Sequence, residues 1–150
     1  MSPRAMQTFH HTLDIDAPAT EVWRVLTNPE LVREWASAYA DGLSIRTSWR
    51  EGDAVAWKEP NGATRAAGRV AAFEPGRRLS FEYDAGRVAP EGRSFCETFE
   101  ISEVDHRTRL DFITGPLDDI GAAALKRPAE AAIREIKSLA EESAQIRRLR

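Results

Sequence analysis

The sequence predicts an α+β domain in which a curved antiparallel sheet of about seven strands wraps one long C-terminal helix. Three observations carry this. Asp118 to about Ile146 holds a helical apolar spacing, and the stretch from Asp41 to Gly115 reads as alternating strands cut by short turns. No other segment is long enough to cover the sheet's apolar face. Short turns then make neighbouring strands pair antiparallel in succession.

Met1 to Met6 is expected to be a disordered arm, leaving residues 7–150 as a single domain. From Gln7 to Asp16, Phe9, His11, Leu13 and Ile15 alternate with polar residues, which is strand periodicity. Ala17-Pro18 opens a short helix with Val22, Trp23, Val25 and Leu26 inward. Asn28-Pro29-Glu30 starts a second, with Asn28 as its cap and Trp35 on its apolar side. Strands follow over Leu43–Trp49, around Val55–Trp57, over Thr64–Phe73 and over Leu79–Tyr83. Asn61-Gly62 is read as a tight hairpin turn. The loop Asp84–Gly92 is the longest and is expected to be mobile or functional. Strands over Phe95–Ile101 and Arg109–Thr114 complete the sheet, with Gly115-Pro116 ending the last. In the terminal helix Ile120, Ala124, Ala132, Ile136, Leu139, Ser143 and Ile146 form the expected buried stripe. Pro128 predicts a kink or short break near residues 126–129.

Composition narrows the function classes. With 42% hydrophobic and 30% charged residues and a net charge of −3, the chain lacks the concentrated basic surface that nucleic acid requires. Arg77-Arg78 and Arg147-Arg148 read as solvated faces. The lone Cys96 and the lack of a charged, apolar leader favour the cytoplasm, and no apolar run approaches the length of a membrane span. His10 and His11 point to opposite faces of a strand, so no metal site is expected. Gly52, Gly62, Gly68 and Gly76 read as turn glycines, so no nucleotide loop or other cofactor site is expected.

The run Leu13-Asp-Ile-Asp-Ala-Pro-Ala-Thr-Glu-Val-Trp-Arg-Val-Leu-Thr-Asn-Pro-Glu-Leu-Val-Arg-Glu-Trp35 resembles the opening of the START/Bet v 1-like (SRPBCC) superfamily. It is most similar to the branch named after the activator of Hsp90 ATPase. Gly52-Asp53 with Trp57, Gly68-Arg-Val70 with Glu74-Pro-Gly-Arg-Arg-Leu79, and Thr108-Arg-Leu-Asp-Phe112 agree in order and spacing. The resemblance implies a helix-grip fold with a cavity between sheet and helix, used for lipids, hormones, polyketides or other apolar molecules. It also implies homodimers in many members, enzymes among some and binding proteins among others. The chain departs from the branch at Gly121-Ala-Ala-Ala124, where members often carry a tryptophan.

Opposite those small residues the sheet offers Trp57, Phe81, Tyr83, Phe99 and Phe112, which either interlock or leave a modest apolar cavity. The family resemblance favours the cavity. His11 shares parity with Leu13 and Ile15, and Glu97 with Phe95 and Phe99, so an imidazole and a carboxyl point inward, where an ionisable group is costly unless used or paired. Trp35 could close one end. Together His11, Leu13, Trp35, Trp57, Phe81, Tyr83, Glu97, Phe99, Phe112 and Ala124 are the expected ligand-binding residues. The leading expectation is binding of an apolar or amphipathic small molecule. The alternatives are a cyclase, aromatase or hydrolase-like enzyme using Glu97, Tyr83 or His11 in the same pocket, and a protein-interaction module, either chaperone-related or self-associating through the sheet edge or an exposed face of Trp49. No catalytic constellation is visible in the sequence.

Overall fold

The computed structural model describes residues 6–84 and 94–149. Residues 1–5 of the expected arm and residues 85–92 of the expected long loop lie outside them. The elements are β1 (Gln7–Ile15), α1 (Ala19–Thr27), α2 (Pro29–Ala36), β2 (Ser44–Thr47), β3 (Ala54–Lys58), β4 (Thr64–Glu74), β5 (Arg78–Tyr83), β6 (Phe95–Val104), β7 (Arg107–Leu117) and α3 (Asp119–Arg148). One seven-stranded antiparallel sheet runs β1-β7-β6-β5-β4-β3-β2, so β2 to β7 pair in chain order and β1 joins the last strand.

Alternation sets the inner face. Pairing of His11 with Phe112, Phe112 with Phe99 and Phe99 with Leu79 carries one apolar row across four strands. A parallel row joins Thr114, Glu97, Phe81 and Val70. Phe81, Phe99 and Phe112 are each 1% exposed, and burial of each such side chain stabilises the fold by roughly 1.5–3 kcal/mol.

The helices begin in different ways. At α2, the Asn28 side chain accepts the N–H groups of Glu30 and Leu31 at 3.0 and 3.3 Å, ahead of Pro29. At α1, Pro18 stays extended at the N-cap position with no side-chain cap, its carbonyl accepting the Glu21 N–H at 3.0 Å, and the Ala19 N–H donates to the Glu103 carboxylate at 2.5 Å.

Several local expectations are corrected. β2 stops at Thr47 because Trp49 adopts φ 63°, and its ring tucks against Phe73 and Phe81 instead of facing outward. At the β3–β4 turn only Gly62 is left-handed, with its N–H on the Glu59 carbonyl at 2.8 Å and the Glu59 N–H on the Ala63 carbonyl at 2.9 Å. That is a longer loop than a two-residue turn. Asp105 and His106, at φ 52° and 64°, form the two-residue turn between Val104 and Arg107. Gly115-Pro116 does not end β7, which continues to Leu117 because Gln7 of β1 pairs with it. Gly68 is no turn residue either. It faces Tyr83 within the sheet, and a Cβ there would lie 1.9 Å from the Glu82 carbonyl oxygen.

α3 is one unbroken 30-residue helix through Pro128, begun by the Asp118 carboxylate accepting the Gly121 N–H at 2.8 Å. Its buried stripe is Ala122, Ala129, Ala132, Ile133, Ile136, Ala140 and Ala144, while Ile120 and Ile146 are 67% and 52% exposed and Ala124 is exposed too. The stripe is rotated from the expected one because alanines, not the larger residues, let the helix approach its neighbours closely. It lies along β1, β7, α1 and α2. Its last turns are stitched down by Lys137 Nζ on the Asp14 carbonyl at 2.6 Å, the Asp16 N–H on Glu141 at 2.8 Å, and Arg147 on the buried Glu21 at 2.5 Å.

Candidate functional site

Because α3 leans toward the β1–β7 side, the sheet under its first half is less fully covered, and a partly open cavity of about 180 Å³ remains there. α2 and the turn after it contribute Trp35, Tyr39 and Leu43. The sheet contributes Trp57 of β3, Arg65 and Ala66 of β4, Tyr83 of β5, and Phe95 and Glu97 of β6. α3 closes the space with Ala124, Leu125 and Pro128.

A directed chain of hydrogen bonds crosses this mostly apolar wall. Trp57 Nε1–H donates to the Tyr83 hydroxyl at 2.8 Å, and the Tyr83 O–H donates to Glu97 Oε1 at 3.1 Å. Burial pushes the Glu97 carboxyl up to about 7, only partly opposed by the Tyr83 hydrogen bond. Burial first and then the Glu97 charge push the phenols of Tyr83 and Tyr39 well above their ordinary value. Glu97 lines the cavity, and its Oε2 has no hydrogen-bond partner among the described residues. Such an oxygen can hold a polar group of a bound molecule, or a proton.

Of the residues expected at a site, Trp35, Trp57, Tyr83, Glu97 and Ala124 border the cavity. Phe81, Phe99 and Phe112 form the packed floor beside it, with Trp35 edge-on to Phe99 at 5.9 Å and Phe99 against Phe112 at 4.9 Å. His11 and Leu13 lie on β1, away from the cavity lining. His11 Nε2 is buried without a partner among the described residues, and His10 turns outward to Asp111 at 3.1 Å. Cys96, also off the lining, is half-buried, and burial pushes its thiol up.

Tyr39, Leu43, Arg65, Ala66, Phe95, Leu125 and Pro128 join the lining without having been expected there. Phe95 was within reach, since it shares parity with Glu97. Arg65 was not, because it is the extra residue of a bulge in which Trp57 pairs with Ala66 but Lys58 with Thr64. Elsewhere, Glu21 of α1 is a second buried carboxylate. It sits between Arg24 and Arg147 at 3.7 and 2.5 Å.

The family whose description is polyketide cyclase / dehydrase and lipid transport matches residues 6–141. No curated protein matches the chain. Among solved structures, a protein from Mesorhizobium loti is 20% identical, with 91% of this chain and 98% of that one covered and a TM-score of 0.72. The Aha1 dimer from Colwellia psychrerythraea is 16% identical, covering 91% and 97%, at 0.68. An HSP90 activator from Plasmodium falciparum is 14% identical, covering 75% and 74%, at 0.59. At these identities the likeness is one of fold. Among the described residues no helix is long and apolar enough to cross a membrane.

Proposed function

Since the chain belongs to the family described as polyketide cyclase / dehydrase and lipid transport, we propose that it binds a small amphipathic molecule between the sheet and the first half of α3. The apolar body lies among Trp35, Leu43, Trp57 and Phe95, and the polar end meets Glu97. The observation that supports this most is the buried Trp57–Tyr83–Glu97 chain, which ends in a carboxyl lining a mostly apolar space. Burying a carboxyl without a full set of partners is costly, and sites that use such a group are where that cost is tolerated.

Size limits the guest. A cavity of about 150 Å³ accommodates benzene, so about 180 Å³ suits one ring or a short branched chain, with any remainder emerging past Arg65. Thermal-shift measurements with one-ring and short-chain alcohols, phenols and amines test this, together with mass spectrometry of whatever co-purifies. Saturating ligand at about 100-fold its Kd should add roughly 2.7 kcal/mol of stability. A panel that neither stabilises the protein nor accompanies it counts against the proposal.

A second reading has one observation in its favour. A carboxyl poised near pH 7 is the kind of group that shuttles protons, so the same cavity suits a cyclase or hydrolase-like reaction with Glu97 as acid or base. Turnover that survives Glu97→Gln combined with Tyr83→Phe removes Glu97 as the acid or base.

A further inference from the structure

We propose that the cavity selects a molecule bearing a protonated amine or quaternary ammonium, held by the Glu97 carboxylate against an aromatic wall. This rests on the reading of the cavity as a ligand site. The first argument is an inventory of donors and acceptors. The Trp57 N–H is taken by Tyr83, the Tyr83 O–H by Glu97, and the Trp35 N–H by the Val25 carbonyl at 2.9 Å. What remains toward the space is the Glu97 carboxylate, whose Oε2 has no hydrogen-bond partner among the described residues. Among the described residues of the lining, the remaining donor side chains are Tyr39 and Arg65, the latter already on Glu59 at 3.3 Å.

The second argument is the wall. Trp35, Tyr39, Trp57, Tyr83 and Phe95 surround the space, with Trp35 edge-on to Trp57 at 6.0 Å and Tyr83 against Phe95 at 5.1 Å. Ring faces attract cations, most strongly when water is excluded. A carboxylate among rings is a far better host for an ammonium than for a neutral lipid head or an acid.

The third argument is charge. Among the described residues, the titratable or charged groups facing Glu97 are Tyr83 from β5, Tyr39 from the turn after α2, and Arg65 from β4. α2, β3 and α3 present Trp35, Trp57, Ala124, Leu125 and Pro128, none of which titrates. Arg65 is exposed and engages Glu59 at 3.3 Å, so its charge is already shared. An ionised Glu97 therefore lacks a dedicated counter-charge, in keeping with a carboxyl lifted to about 7, and a cationic guest would supply one.

The test uses three matched probes on the full chain: 2-phenylethylamine, 2-phenylethanol and 3-phenylpropanoate, titrated calorimetrically at pH 8 and pH 6. At both values an aliphatic amine is protonated, while the ionised fraction of Glu97 drops from about nine-tenths to about one-tenth. The amine should bind at least tenfold more tightly than the alcohol at pH 8 and lose about tenfold at pH 6. At pH 6 its binding should also release protons, seen as a heat that depends on the buffer. Glu97→Gln should reduce the ratio of amine to alcohol affinity to near one. An alcohol or acid that binds as tightly as the amine overturns the amine claim and leaves the cavity as a ligand site. So does an amine preference that survives Glu97→Gln, or amine binding without proton release. Failure of all three probes to bind removes both.

Discussion

Glu97 is the residue whose chemistry is most sharply set by its surroundings, and the sign of its effect on stability follows directly. In the unfolded chain its carboxyl titrates near 4.5, and in the fold burial moves it to about 7. Below pH 4.5 both states carry the proton and nothing is lost. Between 4.5 and 7 the unfolded state gives up its proton first, so stability falls as pH rises, and above 7 the loss is complete, at roughly 3 kcal/mol. Glutamine mimics the protonated form, so Glu97→Gln should match the parent near pH 4 and exceed it by up to ~3 kcal/mol at pH 8, read from urea unfolding across that range. A parent and variant with parallel pH profiles would show that Glu97 is not held as described. Taking the difference isolates this group from Asp111, kept low first by the Thr12 hydroxyl, whose contribution runs the other way at lower pH. That Glu97 and Tyr83 face inward was legible from strand parity alone. Their hydrogen bond was not, because it depends on how β5 and β6 are registered: Phe81 pairs with Glu97, which places Tyr83 one diagonal step away.

Strands were legible because alternation survives wherever one face is buried, and errors gathered where the backbone leaves that rule. Trp49 keeps the parity of Ile45 and Thr47 but not the strand, since its left-handed φ is a backbone choice no side-chain pattern announces. Gly68 looked like punctuation, yet it lies where β4 comes so close to β5 that a methyl group would strike the Glu82 carbonyl. Gly68→Ala should therefore force the two strands apart, cost on the order of 3 kcal/mol or prevent folding, and disturb Tyr83 directly opposite. A variant that melts like the parent, with unchanged tryptophan fluorescence, would contradict that packing. In α3 the alanine stripe was hidden by the larger Ile120 and Ile146, which are exposed. Pro128 did not break the helix, because the turns that follow are held by tertiary contacts over Ala129 to Ala144. It still forfeits one backbone hydrogen bond. Pro128→Ala should stabilise the protein by ~1–3 kcal/mol, the gain from a restored N–H being trimmed by the greater freedom of the unfolded chain. Unfolding measurements showing a loss would mean the ring's packing in the cavity wall outweighs the helix term.

At the scale of the whole molecule, stability and binding are carried by different halves of the same helix–sheet interface. Toward the C-terminal half of α3 the stripe is closed: Ala132, Ile136 and Ala140 are at most 1% exposed, and the helix is bonded to Asp14 of β1 and to Asp16 just after it. Toward the N-terminal half the same helix borders empty space through Ala124, Leu125 and Pro128. The division follows from the direction in which α3 leans, along β1, β7, α1 and α2, which leaves Trp57, Tyr83 and Phe95 facing the helix across the cavity. One substitution made twice separates the halves. Ala140→Leu adds three carbons where no room exists and should cost ~1–3 kcal/mol through displaced side chains. Ala124→Leu adds the same three carbons at an exposed position beside about 180 Å³ of space, so it should leave stability within about 0.5 kcal/mol of the parent or raise it. It should also weaken binding of any cavity ligand by tenfold or more, since a leucine side chain takes a large share of that volume. Thermal unfolding with and without ligand reads both effects at once. If Ala124→Leu destabilises as much as Ala140→Leu, the space beside α3 is closed in solution; if it leaves ligand binding intact, the guest lies elsewhere. Stability kept with binding lost is the outcome expected of a sheet that grips its helix at one end and holds a guest at the other.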